Sequence, residues 1–176
     1  MNGLLALVRL AWTRFTLRRC TRVGRKPWVR GRVWIHGGGS VRLGDRVRLD
    51  ASLAPIELHV EQGAELILED DVHIEGGSSL EAQQRVHIGA RSHVGAFCKV
   101  LDNHFHPLRG DRHARPASTA VKVGEDVHLG ARVILLPGAQ LERGVRVLPA
   151  TIISRRIPAG LQVGGQPAKR VAEVQR

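Results

Sequence analysis

Val123, Leu129, Leu135, Leu141, Val147 and Ile153 follow one another at intervals of six residues, and Val127, Val133, Ala139, Val145 and Thr151 each stand four places after the first five of them. Apolar sites two apart within each repeat are strand alternation, not the 3.6-residue period of a helix. A six-residue extended side spans roughly 20 Å. Three such sides, turned at Gly, Pro or small residues, close a triangular coil of about 18 residues per turn. The same signature stands upstream at Ile88, Val94 and Val100, at Leu68, Ile74 and Leu80, and less cleanly at Leu43 and Leu49. The pattern predicts an all-β chain, a parallel β-solenoid whose stacked turns share one narrow aliphatic core. Such a core has little room for rings, which accounts for three Phe, three Trp and no Tyr.

Breaks in the register carry as much information as the repeat. Between Leu80 and Ile88 the step is eight, a small corner bulge; between Val100 and Val123 it is twenty-three. If the surplus is extruded at one corner, Val123 stacks on Ile88, Leu129 on Val94 and Leu135 on Val100, as Ile74 stacks on Val94. The excursion runs from Leu101 to Ala120 and holds Asp102, His104, His106 and His113. A loop of that length on a rigid solenoid is functional or disordered. Three segments are expected: a basic N-terminal helix and linker over 1–32, the β-helix over 33–154, and a closing tail over 155–176.

Charge changes the picture only at one end. The chain has 176 residues and a formal charge of +11, but nine basic residues and no acidic one fall within 1–32, so that 18 basic and 16 acidic residues remain for the rest. The segment from Leu4 to Leu17 reads as a helix carrying Trp12 and Phe15. Its apolar run precedes the charges and is interrupted by Arg9, unlike a signal peptide. It is either packed on the end of the solenoid or a basic interfacial helix resting on anionic lipid. No stretch is long enough to span a bilayer, and the basic run has no nucleic-acid motif or stacking aromatics around it, so no nucleic-acid partner is expected. Cys20 and Cys98 form no cysteine framework, and Cys98 occupies a small inward site. A cytoplasmic location follows, with the helix allowing a peripheral place on the inner face of the membrane.

The histidines are sorted by the register. His73, His93 and His128 each precede an inward residue and form an outward column about one strand apart. That column is a polar surface, a subunit contact or active-site cleft, or a zinc site, although zinc needs ligands converging on a point. His104 and His106 stand where the chain leaves the coil, in L-D-N-H-F-H-P-L. A histidine fixed at such a corner can act as a general base, and Asp102 is near enough in sequence to orient its ring.

The stretch Val123 to Val171, with V-G-E-D-V-H-L-G, I-L-L-P-G-A and I-P-A-G-L-Q-V-G-G-Q-P-A-K-R-V, resembles the C-terminal half of the hexapeptide-repeat acyltransferases, and within them the sugar O-acetyltransferase branch of maltose, galactoside and capsule acetyltransferases. The resemblance implies a left-handed parallel β-helix and a homotrimer with active sites between subunits. It implies acetyl-CoA as donor with no metal, and a saccharide or lipid-linked saccharide as acceptor. The family's catalytic histidine lies in an H-P pair, which matches His106 and Pro107. It would take the proton from an acceptor hydroxyl without a covalent intermediate. The donor would meet positions matching Gly130, Ala131, Pro149, Ser154 and Arg155, with Lys169 at the nucleotide end. His128 replaces a family Trp that lines the acceptor site, and Glu75 stands where relatives carry an Asn; both are candidates for acceptor binding. Pro149-Ala150-Thr151 replaces the usual Ala-Gly-Ser. Two other readings use the same coil: a γ-type carbonic anhydrase, for which His87 and His93 lie six apart and on different faces, and a non-catalytic scaffold.

Overall fold

The computed structural model describes residues 11–104, 111, 113 and 116–173. It is an all-β parallel solenoid with one short helix at its N-terminal end. The first side of the triangle is a seven-stranded sheet made of Arg22–Val23, Ser40–Leu43, Glu65–Leu68, Arg85–Ile88, Val121–Val123, Gln140–Leu141 and Arg156–Ile157. The second side holds His73–Glu75, His93–Val94, His128–Leu129, Arg146–Val147 and Leu161–Gly164. The third holds Ser79–Ala82, Lys99–Leu101, Ile134–Leu135 and Ile152–Ile153. Near the N-terminal end Trp28–Gly37 and Arg48–Val60 run through the second and third sides without a sharp corner, and Arg48–Val60 pairs with both His73–Glu75 and Ser79–Ala82.

The stacking expected from the broken register holds at each point. Val123 pairs with Ile88, Leu129 with Val94, Leu135 with Val100, and Ile74 with Val94. Leu68, Ile74, Leu80, Ile88, Leu129 and Leu135 are wholly buried in one core that runs the length of the coil. At roughly 1.5–3 kcal/mol for each large aliphatic side chain, this stack is the main term holding coils that bury little alone. Cys98 lies in that core, its thiol against the Gly130 carbonyl at 3.2 Å and pushed up to about 11 by burial. It is a packing residue.

Paired strands also stand before residue 33 and after residue 154. Arg22–Val23 already pairs with Arg42–Leu43, and Arg156–Ile157 and Leu161–Gly164 continue the sides beyond 154. Arg30, Gly31 and Arg32 interrupt the apolar alternation around inward Val29 and Val33, which hides the first coil in the sequence. Lys169–Glu173 turns back antiparallel on Leu161–Gly164 and closes the stack. At the other end the helix over 11–16 and the 3-10 turn Leu17–Arg19 bury Thr13 and Leu17 against the coil, while Trp12 donates to the Gly31 carbonyl at 3.2 Å. Among the described residues no helix is long and apolar enough to cross a membrane.

Corners turn on residues in the left-handed region. Between first and second sides these are Lys26, Arg46, Asp71, Arg91 and Asp126, at φ between 53° and 59°. The side chains of Arg46, Asp71, Arg91 and Asp126, with Arg25, Asp45 and Arg143, form a ladder of ion pairs along the edge. Between second and third sides Gly77 has φ 76°, and a Cβ there would meet the Phe97 ring of the next coil unless that ring shifted.

Candidate active site

Because Ile74, Val94 and Leu129 point inward, the preceding His73, His93 and His128 project from the second side as the expected column. The rings of His73 and His93 are 5.0 Å apart and tilted; those of His93 and His128 are 4.6 Å apart and stacked. His93 is bonded in both directions. Its Nε2 lies 2.9 Å from Glu75 Oε1 and its Nδ1 lies 3.2 Å from Nδ1 of His128. The other oxygen of Glu75 accepts the Ala96 amide at 3.0 Å. Glu75, although some two-fifths exposed, is therefore engaged by both of its oxygens. It and His128, the two candidates for acceptor binding, are brought into one chain of contacts by His93, which the sequence placed in the column but not in the site.

The signal for that link was available in the register. A carboxylate one place after an inward residue and an imidazole one place before the inward residue stacked on it meet on a diagonal, as Glu75 and His93 do about Ile74 and Val94. Burial, then the neighbouring His93, then Arg48 push His73 below the ordinary imidazole range. Burial, His93 and Arg146 do the same to His128. Nε2 of His73 is, among the described residues, the one buried side-chain nitrogen or oxygen without a hydrogen-bond partner. His73 and His128 thus favour the neutral ring.

Asp102 stands at the corner between third and first sides, wholly buried. Its carboxylate accepts the amides of Gln83, Gln84 and Arg85 at 2.8, 2.7 and 2.7 Å. Its carbonyl accepts the Thr119 amide at 2.8 Å, and the Thr119 carbonyl accepts that of Gly138 at 3.0 Å. Its side chain turns inward to bind the corner bulge left by the eight-residue step, and fastens the stem of the excursion. His104 is exposed just beyond it. His106 and Pro107 lie outside the described residues.

The donor-side candidates fall into two groups. Gly130, Ala131 and Pro149 stack on the corner between second and third sides, where the Ala150 amide donates to the Ala131 carbonyl at 2.9 Å and a Cβ on Gly130 would strike Pro149. Ser154 and Arg155 lie on the next corner, beneath the stem of the excursion. Arg155 donates to the Ala168 carbonyl at 3.0 Å, which sets it beside the segment that carries Lys169. One chain does not bring the two groups together.

The first side carries two shallow grooves of about 560 and 610 Å³ that share Glu69 and His87 and hold none of the predicted residues. His87 lies on this side and His93 on the second, so they do not converge as a zinc pair would. Among the described residues no group of three His, Cys, Asp or Glu has the placement to hold a metal ion.

The parallel coil has the fold of solved acyltransferase structures. AntD, an N-acyltransferase from Bacillus cereus solved with dTDP and 3-hydroxybutyryl-CoA, superposes with a TM-score of 0.78 at 15% identity, over 95% of this chain and 88% of that one. A point mutant of that enzyme with dTDP-4-amino-4,6-dideoxyglucose and coenzyme A gives 0.76 at 14% identity, over 95% and 89% of the two chains. A hexapeptide-repeat acetyltransferase from Vibrio cholerae O1 biovar eltor, complexed with acetyl-CoA, gives 0.64 at 17% identity, over 97% and 79%. At these identities the likeness is one of fold. In sequence, 85 residues, 48% of the chain, are 32% identical to the 2,3,4,5-tetrahydropyridine-2,6-dicarboxylate N-acetyltransferase of Staphylococcus aureus strain JH9. The chain covers 32% of that protein and so spans about a third of the length of the curated relatives it matches. No family model matches the chain.

Proposed function

We propose that this chain is an acyl-CoA-dependent acyltransferase that moves an acetyl or similar small acyl group onto an amine or hydroxyl of a saccharide acceptor. The observation that carries the reading is the excursion fixed at its stem by Asp102, on a coil whose fold is that of acyltransferases solved with CoA thioesters. His106, in the H-P pair of that excursion, is the base that takes the proton lost by the acceptor as it attacks the thioester carbonyl. The pantetheine arm runs along Gly130, Ala131 and Pro149, and Ser154, Arg155 and Lys169 meet the nucleotide end. These two groups lie on different corners of one chain. A homotrimer in which one group faces the other across a subunit boundary would reunite them, which supports the trimer. Glu75 and His128 belong to the acceptor side; the nucleotide-sugar ligands of AntD and the N-acetyltransferase relative weigh toward an amino group. The test is thiol release from acetyl-CoA with amino-sugar and neutral-sugar acceptors. His106→Ala should lower turnover roughly 10²- to 10⁴-fold, and undiminished activity would remove His106 from its role.

The N-terminal end gives the reading a place, at the inner face of the cytoplasmic membrane. Supporting it, Trp12, Phe15 and Trp34 are 47%, 56% and 49% exposed on the face that also carries Arg18 and Arg32. The helix buries Leu17 and Thr13 inward and presents rings and guanidinium groups outward, a surface complementary to anionic lipid. Full-length protein should sediment with phosphatidylserine-containing vesicles at low salt, and Phe15→Ser/Trp34→Ser should not. Wild-type protein left in the supernatant would make the helix purely structural.

A further inference from the structure

The bond between Glu75 and His93 fixes more than a ring orientation. An ionised carboxylate only accepts, so the ring nitrogen of His93 that faces it, Nε2 at 2.9 Å from Glu75 Oε1, carries a proton, and in the neutral ring that is the single one. Nδ1 of His93 is then a bare acceptor. Nδ1 of His128 lies 3.2 Å away, and two bare nitrogens repel, so His128 carries its proton on Nδ1 and donates it to His93. What remains at the outer end is the unprotonated Nε2 of His128, on an exposed strand position, to which no described residue donates. Free histidine prefers the opposite tautomer. The contacts therefore select, two residues away, the form of His128 that has a lone pair facing outward.

We infer that Glu75, His93 and His128 form a proton relay that strips the ammonium group of an amine acceptor before it attacks the thioester. The inference rests on the acyltransferase reading and narrows it to N-acyl transfer. An amine acceptor must shed two protons, one from the ammonium and one from the nitrogen once it is bonded to the acyl carbon, and a single base serves only one at a time. The relay takes the first. An ammonium proton passes to Nε2 of His128 while the Nδ1 proton of His128 passes to Nδ1 of His93, so the positive charge comes to rest on His93 beside the Glu75 carboxylate. The freed lone pair forms the C–N bond at the thioester carbonyl. His106 accepts the second proton, the C–S bond breaks, and the CoA thiolate leaves with that proton. The relay returns its own to solvent, so one proton is released per turnover.

Electrostatics on the second side work in the same direction. Arg146 pairs with His128 across the ladder, and a cation there disfavours a bound ammonium relative to the neutral amine. Burial, His93 and Arg146 hold His128 itself below the usual imidazole range, so it enters the reaction neutral. His128 is the residue that would touch the acceptor; His93 and Glu75 act through it as positioning residues.

The first measurement needs no activity: nitrogen NMR of the histidine rings in the full chain at pH 7.5, with His128 assigned from the H128Q variant. His128 should show a protonated Nδ1 and a bare Nε2, and Glu75→Gln should shift it toward the Nε2-protonated form. A wild-type His128 protonated on Nε2 overturns the relay. The second measurement is turnover with an amino sugar. H128Q should lower kcat roughly 10²-fold, Glu75→Gln should lower kcat by less and leave the acceptor KM nearly unchanged, and Glu69→Gln, which breaks the corresponding contact on the first side, should leave kcat as it is. H128Q should lower kcat far more with the amino sugar than with a neutral-sugar acceptor, which has no ammonium proton to lose. Equal kcat in H128Q and wild type would also overturn the relay, whereas failure of wild-type protein to release thiol with any acceptor would sink the acyltransferase reading and leave the tautomer result standing.

Discussion

The same clamp is built on two sides of the coil and comes to different ends. On the first side Glu69 follows inward Leu68, His87 precedes inward Ile88, and the two inward residues stack; Glu69 lies 2.8 Å from His87 and takes the Ala90 amide at 2.9 Å. On the second side Glu75, His93 and the Ala96 amide repeat the arrangement about Ile74 and Val94. Glu142, Arg156 and the Ala159 amide repeat it once more on the first side with a guanidinium in place of the ring. The clamp is thus a product of the repeat, a way of tying each coil to the next. What differs is the residue one coil further on. Beside His87 stands Lys122, which only donates; beside His93 stands His128, which can donate with one nitrogen and accept with the other. One outward position turns a structural tie into a chain of exchangeable protons.

Truncating the carboxylates would sharpen this comparison, because each ties backbone amides at a different depth. Asp102→Ala should cost about 3 kcal/mol, since it strands three amides at a wholly buried corner. Glu69→Ala and Glu75→Ala should each cost about 1 kcal/mol, and about equally, because both side chains are some two-fifths exposed and water replaces the lost acceptor. Urea titrations of the three variants give the ranking. A Glu75 variant as damaged as the Asp102 variant would mean that the second-side clamp carries structure that the first-side clamp does not.

How far the molecule can be read from its sequence follows from strand length. From Leu68 onward most sides are two- to four-residue strands separated by turns, and the inward residue of each is Leu, Ile or Val, so the sixfold spacing survives and the stacking partners of Val123, Leu129 and Leu135 could be read directly. Trp28–Gly37 and Arg48–Val60 run through a corner without a turn, and the register shifts between Gly31 and Val33, so the spacing dissolves there although the core continues. The histidine column was legible because it depends only on register. The role of Asp102 was not. Proximity to His104 and His106 along the chain gave no sign that the side chain turns back to three amides 17 to 19 residues earlier. The division of the donor-side residues between two corners was equally hidden, since it depends on which turn each repeat reaches.

Acid offers the last and smallest test, because it charges His73 and His128 and discharges the carboxylates of the corner ladder at different pH. In the column, burial together with His93, Arg48 and Arg146 lowers His73 and His128 from 6.5, against the opposing pull of Glu75 and, at His73, Asp50. As pH falls below about 6.5 the unfolded chain binds protons that the folded rings refuse, so stability declines until the lower folded values are passed. In the ladder, the bonds from Arg25 to Asp45, from Arg46 to Asp71 and from Arg91 to Asp126 lower those carboxyls from 3.8. Their contribution is intact above about 3.8 and is lost only as pH falls through the folded values. Stability against urea should therefore fall in two steps between pH 8 and pH 2. H73Q/H128Q should remove the upper step and spare the lower, and R46Q/R91Q should do the reverse. Wild-type protein that keeps full stability down to pH 4.5 would show that His73 and His128 are not held neutral, and with it the selective pressure of the second side on proton position would be gone.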